Sequence, residues 1–261
     1  MARRCTASIN LNAIKKNYLY AKSLSPNAKA IAIVKANAYG HGAIKVASHL
    51  EDCADCYGVA CTEEAIELRN SGIDKTPMLL MEGVFEASEL KLIEKYNLIV
   101  TVCNSKQLQW LLDNKFNKPV DVFVKYDSGM GRLGFQGEEF INAINLLEES
   151  EKIGQITLMT HFSSADDLNS TSTNEQISNF DKTLYSKKYS TSLANSAGIM
   201  SWSESHREYT RPGIMLYGSS PFPEKYFLNK LTPAMTLSSV LISIKSFKAG
   251  QSIGYGCRYI C

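Results

Sequence analysis

What the chain lacks narrows the field first. Its 261 residues contain no apolar run approaching the length of a membrane-spanning helix. No charge of one sign dominates, with 28 Lys and Arg against 26 Asp and Glu, a net of +2, and no basic stripe is interleaved with aromatics. Neither nucleic acid nor a membrane is therefore an expected partner. The start, MARRCTASIN, carries two arginines with no apolar core behind them, so a secretory signal is not expected there. The four histidines are scattered, and the seven cysteines are odd in number and irregularly spaced. Cys53 and Cys56 form a C-x-x-C pair, but no second pair follows at zinc-ribbon spacing. No metal centre is expected, and reduced thiols in a cytoplasm fit best. Solenoid-type repeats and low-complexity tracts are also missing.

What is present is the alternation of short apolar strands with amphipathic helices. The composition, 44% hydrophobic and 21% charged, is that of a globular protein long enough to bury a core without staples. Apolar and β-branched runs predict strands at IAIVK (31–35), YGVA (57–60), PMLLM (77–81) and LIVTV (98–102). Four more follow at VDVFVK (120–125), ITLMTH (156–161), YSTSLA (189–194) and YTRPGIML (209–216). Helical stretches lie between them, among them TEEAIELRNSG (62–72), EASELKLIEKY (86–96) and EEFINAINLLEES (138–150), with Thr62 as a candidate cap. Eight strands joined by crossovers match a closed parallel barrel, although an open doubly wound sheet holds the same number.

After Gly218 the pattern changes. SSPFPE (219–224) is rich in turn residues, and 235–247 and 251–260 read as extended segments around a Lys-Ala-Gly turn. The expected fold is α/β: a (β/α)8 barrel of TIM type over residues 1–228, including an N-terminal strand and helix. A mainly β domain begins over 229–261, and two strands alone do not make a stable domain, so this second domain reads as incomplete.

In a parallel barrel the chemistry sits where the strands' C-terminal ends open onto the following loops. By that rule Lys35 ends the first strand, Lys125 the fifth with Arg132 in the loop beyond, and His161 the sixth. Asn195 and Ser196 follow the seventh, and Arg211 and Gly213 lie in the last. Each has a plain alternative. Lys35 ends an apolar run where an ammonium is costly to bury, so it is either reactive or simply leaving the core. His161 is a cofactor contact or a satisfied strand-end histidine. Ser196 binds an anion or caps the helix that follows. Arg211 serves a ligand or pairs with a core carboxylate. The loop SGMGRLGF (128–135) contains G-x-G-x-x-G, a dinucleotide fingerprint, but in mid-chain rather than in an opening βαβ unit.

VKANAYGHG (34–42) resembles the cofactor-lysine motif of the bacterial alanine racemases, which carry pyridoxal 5′-phosphate on a barrel. The likeness continues in order through INLNAIKKN (9–17), EEAIELRNSGI (63–73), VKYDSGMGRLGF (124–135), THFSSAD (160–166), ANSAGIM (194–200), RPGIMLYG (211–218) and AGQSIGYG (249–256). The resemblance implies a cytoplasmic enzyme that interconverts L- and D-alanine and supplies D-alanine for peptidoglycan. Lys35 would hold the cofactor aldehyde and serve the α-proton of the D enantiomer, and Tyr255, in the GYG motif, that of the L enantiomer. A phenol titrates near 10, so Tyr255 would need neighbouring positive charge to act near neutrality. Tyr39, Ser196, Gly213 and Ile214 would hold the phosphate, and Arg211 would face the pyridine nitrogen with His161 against it. Arg132 would bond the phenolic oxygen and touch substrate, and Lys125 matches a lysine that some members carry as a carbamate.

The resemblance also implies a homodimer in which Tyr255 acts in trans, whereas the short second domain leaves that assembly open. A non-catalytic pyridoxal-phosphate-binding barrel, an inactive truncated racemase, and serine as substrate are the alternatives.

Overall fold

The computed structural model describes residues 4–183, 188–222 and 230–261. These fall into two compact units, Asn10–Ala234 and a smaller one made of the chain's two ends up to Ile9 and from Met235. The boundary expected at 228/229 lies outside the described residues.

The larger unit is a closed parallel barrel of eight strands, following an outlying strand β1 (Cys5–Ile9). Around the barrel run β2 (Lys29–Ile33), β3 (Cys56–Val59), β4 (Met78–Leu80), β5 (Leu98–Val102), β6 (Val120–Lys125), β7 (Ile153–Met159), β8 (Ser190–Ser192) and β9 (Tyr209–Thr210). Lys29 opposite Tyr209 and Ala30 opposite Thr210 close the ring between β2 and β9. Ile31, Ile33, Leu79, Met81, Phe123 and Met159 pack as one buried cluster with Ile99 and Tyr209 against it. Gly58 makes room for that cluster, since a Cβ there would stand 2.6 Å from Ile33 Cδ1.

All eight expected strands exist, but the last is shorter than its apolar run. Pro212 has no N–H for a ladder, so β9 stops at Thr210 and Ile214–Tyr217 closes into a 3-10 turn instead. Thr62 is not a cap: Cys61 occupies that position before the helix Thr62–Asn70, and the Thr62 hydroxyl donates to Glu89 Oε2 at 2.8 Å. Among the described residues no helix is long and apolar enough to cross a membrane.

The N-terminal strand was expected with the barrel, but its partner is elsewhere. A closed barrel offers no free edge, and β1 pairs antiparallel with β10 (Met235–Ser239), Cys5 opposite Ser239 and Ile9 opposite Met235. The same unit holds a second antiparallel pair, β11 (Ser252–Ile253) with β12 (Tyr259–Ile260). Residues 240–247, read as extended, form no strand.

Helix α1 (Leu11–Leu24) begins at Asn10, whose side chain accepts from Ala13 N at 3.0 Å, and buries Ala13, Ile14, Asn17, Tyr18 and Ala21. Asn17 is fully buried and makes three hydrogen bonds to the end of the barrel chain. Its amide donates to Leu216 O (3.0 Å) and Thr232 O (2.8 Å) and its oxygen accepts from Thr232 N (2.8 Å). Asn17→Leu strands three backbone groups without water, and the expected loss of unfolding free energy is roughly 3 kcal/mol, read from urea denaturation.

Candidate functional site

A cavity of about 460 Å³ opens at the C-terminal ends of the barrel strands. Lys35, Tyr39, Lys125, Arg132, His161, Ser196, Arg211, Gly213 and Ile214 all line it. Nine of the ten residues to which the resemblance gives a role thus meet in one place. The tenth, Tyr255, is fully exposed on the smaller unit.

β2 ends at Ile33, two residues short of Lys35, and the backbone then enters the left-handed region. Ala36, Asn37, Ala38 and Tyr39 have φ of 52–54°. For residues with a Cβ this costs roughly 1–2 kcal/mol each, so the turn persists only because its surroundings hold it. Asn37 Oδ1 accepts from Ala43 N at 2.8 Å, and Gly42 N donates to Asn37 O at 3.0 Å. Tyr39 packs on Tyr217 with ring centroids 5.1 Å apart; the Tyr217 hydroxyl donates to Ile33 O at 2.7 Å, and His41 stacks on its ring at 4.5 Å.

The question over Arg211 is resolved against an ion pair. It is 2% exposed, and its partners are carbonyls and polar side chains. Nη1 donates to Ser192 O (2.7 Å) and Ser192 Oγ (2.6 Å); Nη2 donates to Thr160 O (2.6 Å), Leu193 O (3.1 Å) and His161 Nδ1 (3.4 Å). A guanidinium has five N–H donors, and here the buried Nε–H alone has no partner. Burial pushes the Arg211 pKa down to about 9, so it remains a cation at neutral pH. His161 is driven well below its ordinary value by burial and then by the charges of Arg211 and Lys125. It is neutral near pH 7, which leaves Nδ1 free to accept from Arg211.

Ser196 is not the helix cap. Asn195 fills that place, its oxygen accepting from Gly198 N at 3.0 Å. The Ser196 hydroxyl instead accepts from Gly213 N (2.9 Å) and Met215 N (3.3 Å), drawing the loop after β9 toward it. A Cβ at Gly213 would lie 3.4 Å from the Tyr39 hydroxyl and 3.8 Å from Ser196 Oγ. Two hydroxyls therefore converge on a bare stretch of backbone, a cradle suited to phosphate oxygens.

The glycine loop after β6 does not cradle a dinucleotide. Asp127 has taken its donors: Gly129 N (3.1 Å), Met130 N (2.9 Å) and Gly131 N (3.0 Å) all donate to Oδ1. The loop's remaining product is the exposed Arg132 at the cavity rim.

Sequence reasoning missed two carboxylates on the wall, Glu82 and Asp166. Glu82 Oε1 lies 3.4 Å from Lys35 Nζ. It directly follows the run PMLLM, so the strand-end rule that found Lys35 could have found it.

The cavity carries four fixed or potential cations, Lys35, Lys125, Arg132 and Arg211, against these two carboxylates. It suits an anionic ligand. The fit to pyridoxal 5′-phosphate is good on this structure's own terms: a lysine at the rim, an anion cradle, and a buried N–H donor wanting an acceptor.

Comparison with known proteins agrees. The family model "Alanine racemase, N-terminal domain" matches residues 9–221. A catabolic alanine racemase from Pseudomonas putida is 42% identical over 259 residues, covering 99% of this chain and 72% of the relative. The crystal structure of the biosynthetic alanine racemase from Pseudomonas aeruginosa superposes with a TM-score of 0.93 at 39% identity, over 99% of this chain and 72% of that one. Alanine racemase from Bartonella henselae with covalently bound pyridoxal phosphate superposes at 0.84 with 26% identity, over 98% of this chain and 72% of that one.

Lys125 is 6% exposed, and burial first, then Arg211, Arg132 and Lys35, lower its pKa from 10.5 to about 8. Below pH 8 the buried ammonium costs the folded state on the order of 3 kcal/mol. As pH rises from about 8 to 10.5 the folded form releases its proton before the unfolded form does, so stability rises across that window. Without cofactor and in carbon-dioxide-free buffer, Lys125→Met should be more stable than the parent at pH 7, with the advantage shrinking toward pH 10.5. Denaturant unfolding at several pH values checks this.

Proposed function

The chain belongs to the alanine racemase family, and on that premise we propose that it interconverts L- and D-alanine with pyridoxal 5′-phosphate by two-base proton transfer at Cα. The observation that carries the reading is the meeting of Lys35, the Tyr39–Ser196–Gly213 cradle and the unpaired Nε–H of Arg211 in one cavity.

Lys35 holds the cofactor covalently through Nζ. The hydroxyls of Tyr39 and Ser196, with the backbone at Gly213 and Ile214, hold its phosphate. Arg211 Nε, the one donor of the guanidinium without a partner, would serve the pyridine nitrogen, and an arginine that keeps its own proton would leave that nitrogen unprotonated. His161 accepts from Arg211 and would help to hold the guanidinium in place for the cofactor. The cofactor, when bound, withdraws electron density from the substrate's Cα–H bond and acidifies it.

Lys35 Nζ, released when the substrate's amino group takes its place, would then move the α-proton of the D enantiomer, and Tyr255 Oη, contributed by the second protomer, that of the L enantiomer. Arg132 bonds the cofactor's phenolic oxygen and contacts the substrate. Lys125, neutral in a good part of the population near pH 8, is suited to carbamylation. Its nitrogen attacks carbon dioxide, an N–C bond forms, a proton leaves, and the resulting anion faces Arg132. The assembly is a homodimer in the cytoplasm, and the product D-alanine goes to peptidoglycan.

Proton exchange at Cα tests the reading. In deuterated water with added cofactor, each alanine enantiomer should acquire deuterium and invert, followed by NMR. Tyr255→Phe should keep exchange from D-alanine and lose it from L-alanine, while Lys35→Ala should lose both. Folded protein that binds the cofactor at Lys35 yet exchanges neither enantiomer would refute racemisation.

A further inference from the structure

Lys35 heads a turn that its own residues disfavour, and something outside the turn must hold it. β2 and β3 pair in register, Ile33 opposite Gly58, and the ladder continues one step with Val34 N donating to Gly58 O at 2.9 Å. There the strand pairing ends, because the left-handed residues Ala36–Tyr39 carry the backbone away. At that point a side chain takes over. Glu64, in the first turn of the helix Thr62–Asn70, accepts from Ala36 N through Oε1 and from Ala60 N through Oε2, both at 2.8 Å.

We propose that Glu64 is the positioning residue for the cofactor lysine: its carboxylate clamps the amide next to Lys35 to the end of β3 and so keeps the left-handed turn that presents Lys35 and Tyr39. The inference rests on the reading of Lys35 as the lysine that holds the cofactor. Glu64 does not line the cavity, so it acts through the backbone and not on the ligand. The task needs two acceptors on one rigid group, and a charge-assisted bond is stronger than a neutral one. Glutamine supplies one acceptor and turns an NH₂ toward the second amide. Glu63, its neighbour in the same helical turn, shares the favourable helix-end position but makes neither contact, which makes it the control.

The experiment is amide hydrogen exchange on the full chain, read by NMR at Ala36 and Ala60, alongside cofactor release measured well below the unfolding midpoint. In E64Q both amides should exchange about tenfold faster and cofactor should leave about tenfold faster. Turnover should fall by a similar factor with KM for alanine little changed, and E63Q should leave every readout near wild type. E64Q with wild-type exchange at Ala36 and wild-type cofactor release overturns the proposal. Should E64Q not fold, the wild-type protein decides: matched protection of Ala36 and Ala60 supports the clamp, and free-peptide exchange at Ala36 overturns it. The amide measurement needs no cofactor. A chain that fails to retain cofactor at Lys35 therefore refutes the functional reading while the exchange rates still judge Glu64.

Discussion

The site is organised around a buried positive charge that has no counter-ion among the described residues. The Arg211 guanidinium is almost wholly removed from water, and a cation in that position costs several kcal/mol unless its N–H groups are met. They are met by Thr160, Ser192 and Leu193, at the ends of β7 and β8, so those strand ends must terminate at one level around the cation. The same charge helps to set protonation nearby. It contributes to holding His161 neutral and to lowering Lys125, so one residue shapes both the wall of the cavity and the acid–base state of that wall. What the barrel leaves unsatisfied, the fifth N–H, is what a ligand can use.

Several polar groups here had two plausible jobs, and their neighbours decided between them. Ser196 is relieved of capping because Asn195 caps; its hydroxyl oxygen accepts from the loop after β9, and its O–H is left to donate to a ligand. The glycine loop has amides enough to bind an anion, but Asp127 fills them from within and converts a potential nest into a rigid arm for Arg132. Glu82 faces Lys35 from a turn that could not be built otherwise. A Cβ at Gly83 would meet Thr101 O at 2.3 Å, and Gln107 Nε2 donates to the Glu82 carbonyl at 2.9 Å.

The barrel and the mouth of its cavity were legible because both follow from periodicity. Short apolar runs alternating with amphipathic helices leave few topologies, and in a parallel barrel the strand ends mark the site. The left-handed turn at Ala36–Tyr39 was not legible. Of its four residues only Asn37 tolerates that backbone well, and the flanking glycines suggest a turn without specifying its hand. Nor was the partnership of β1 with β10, since each reads as an ordinary alternating strand and their pairing joins opposite ends of the chain. Glu64 looked like one more acidic residue at a helix start.

By itself, then, the sequence determined the eight strands, their order, the family likeness and the set of residues fit to hold an anionic cofactor, because those depend on residue type and spacing. Only the tertiary structure decided which donors remain free. Whether the N–H groups of Arg211 or the Ser196 hydroxyl are already taken depends on partners remote in sequence, brought within 3 Å or so by barrel closure, and whether the glycine amides are taken depends on how their loop folds back on Asp127.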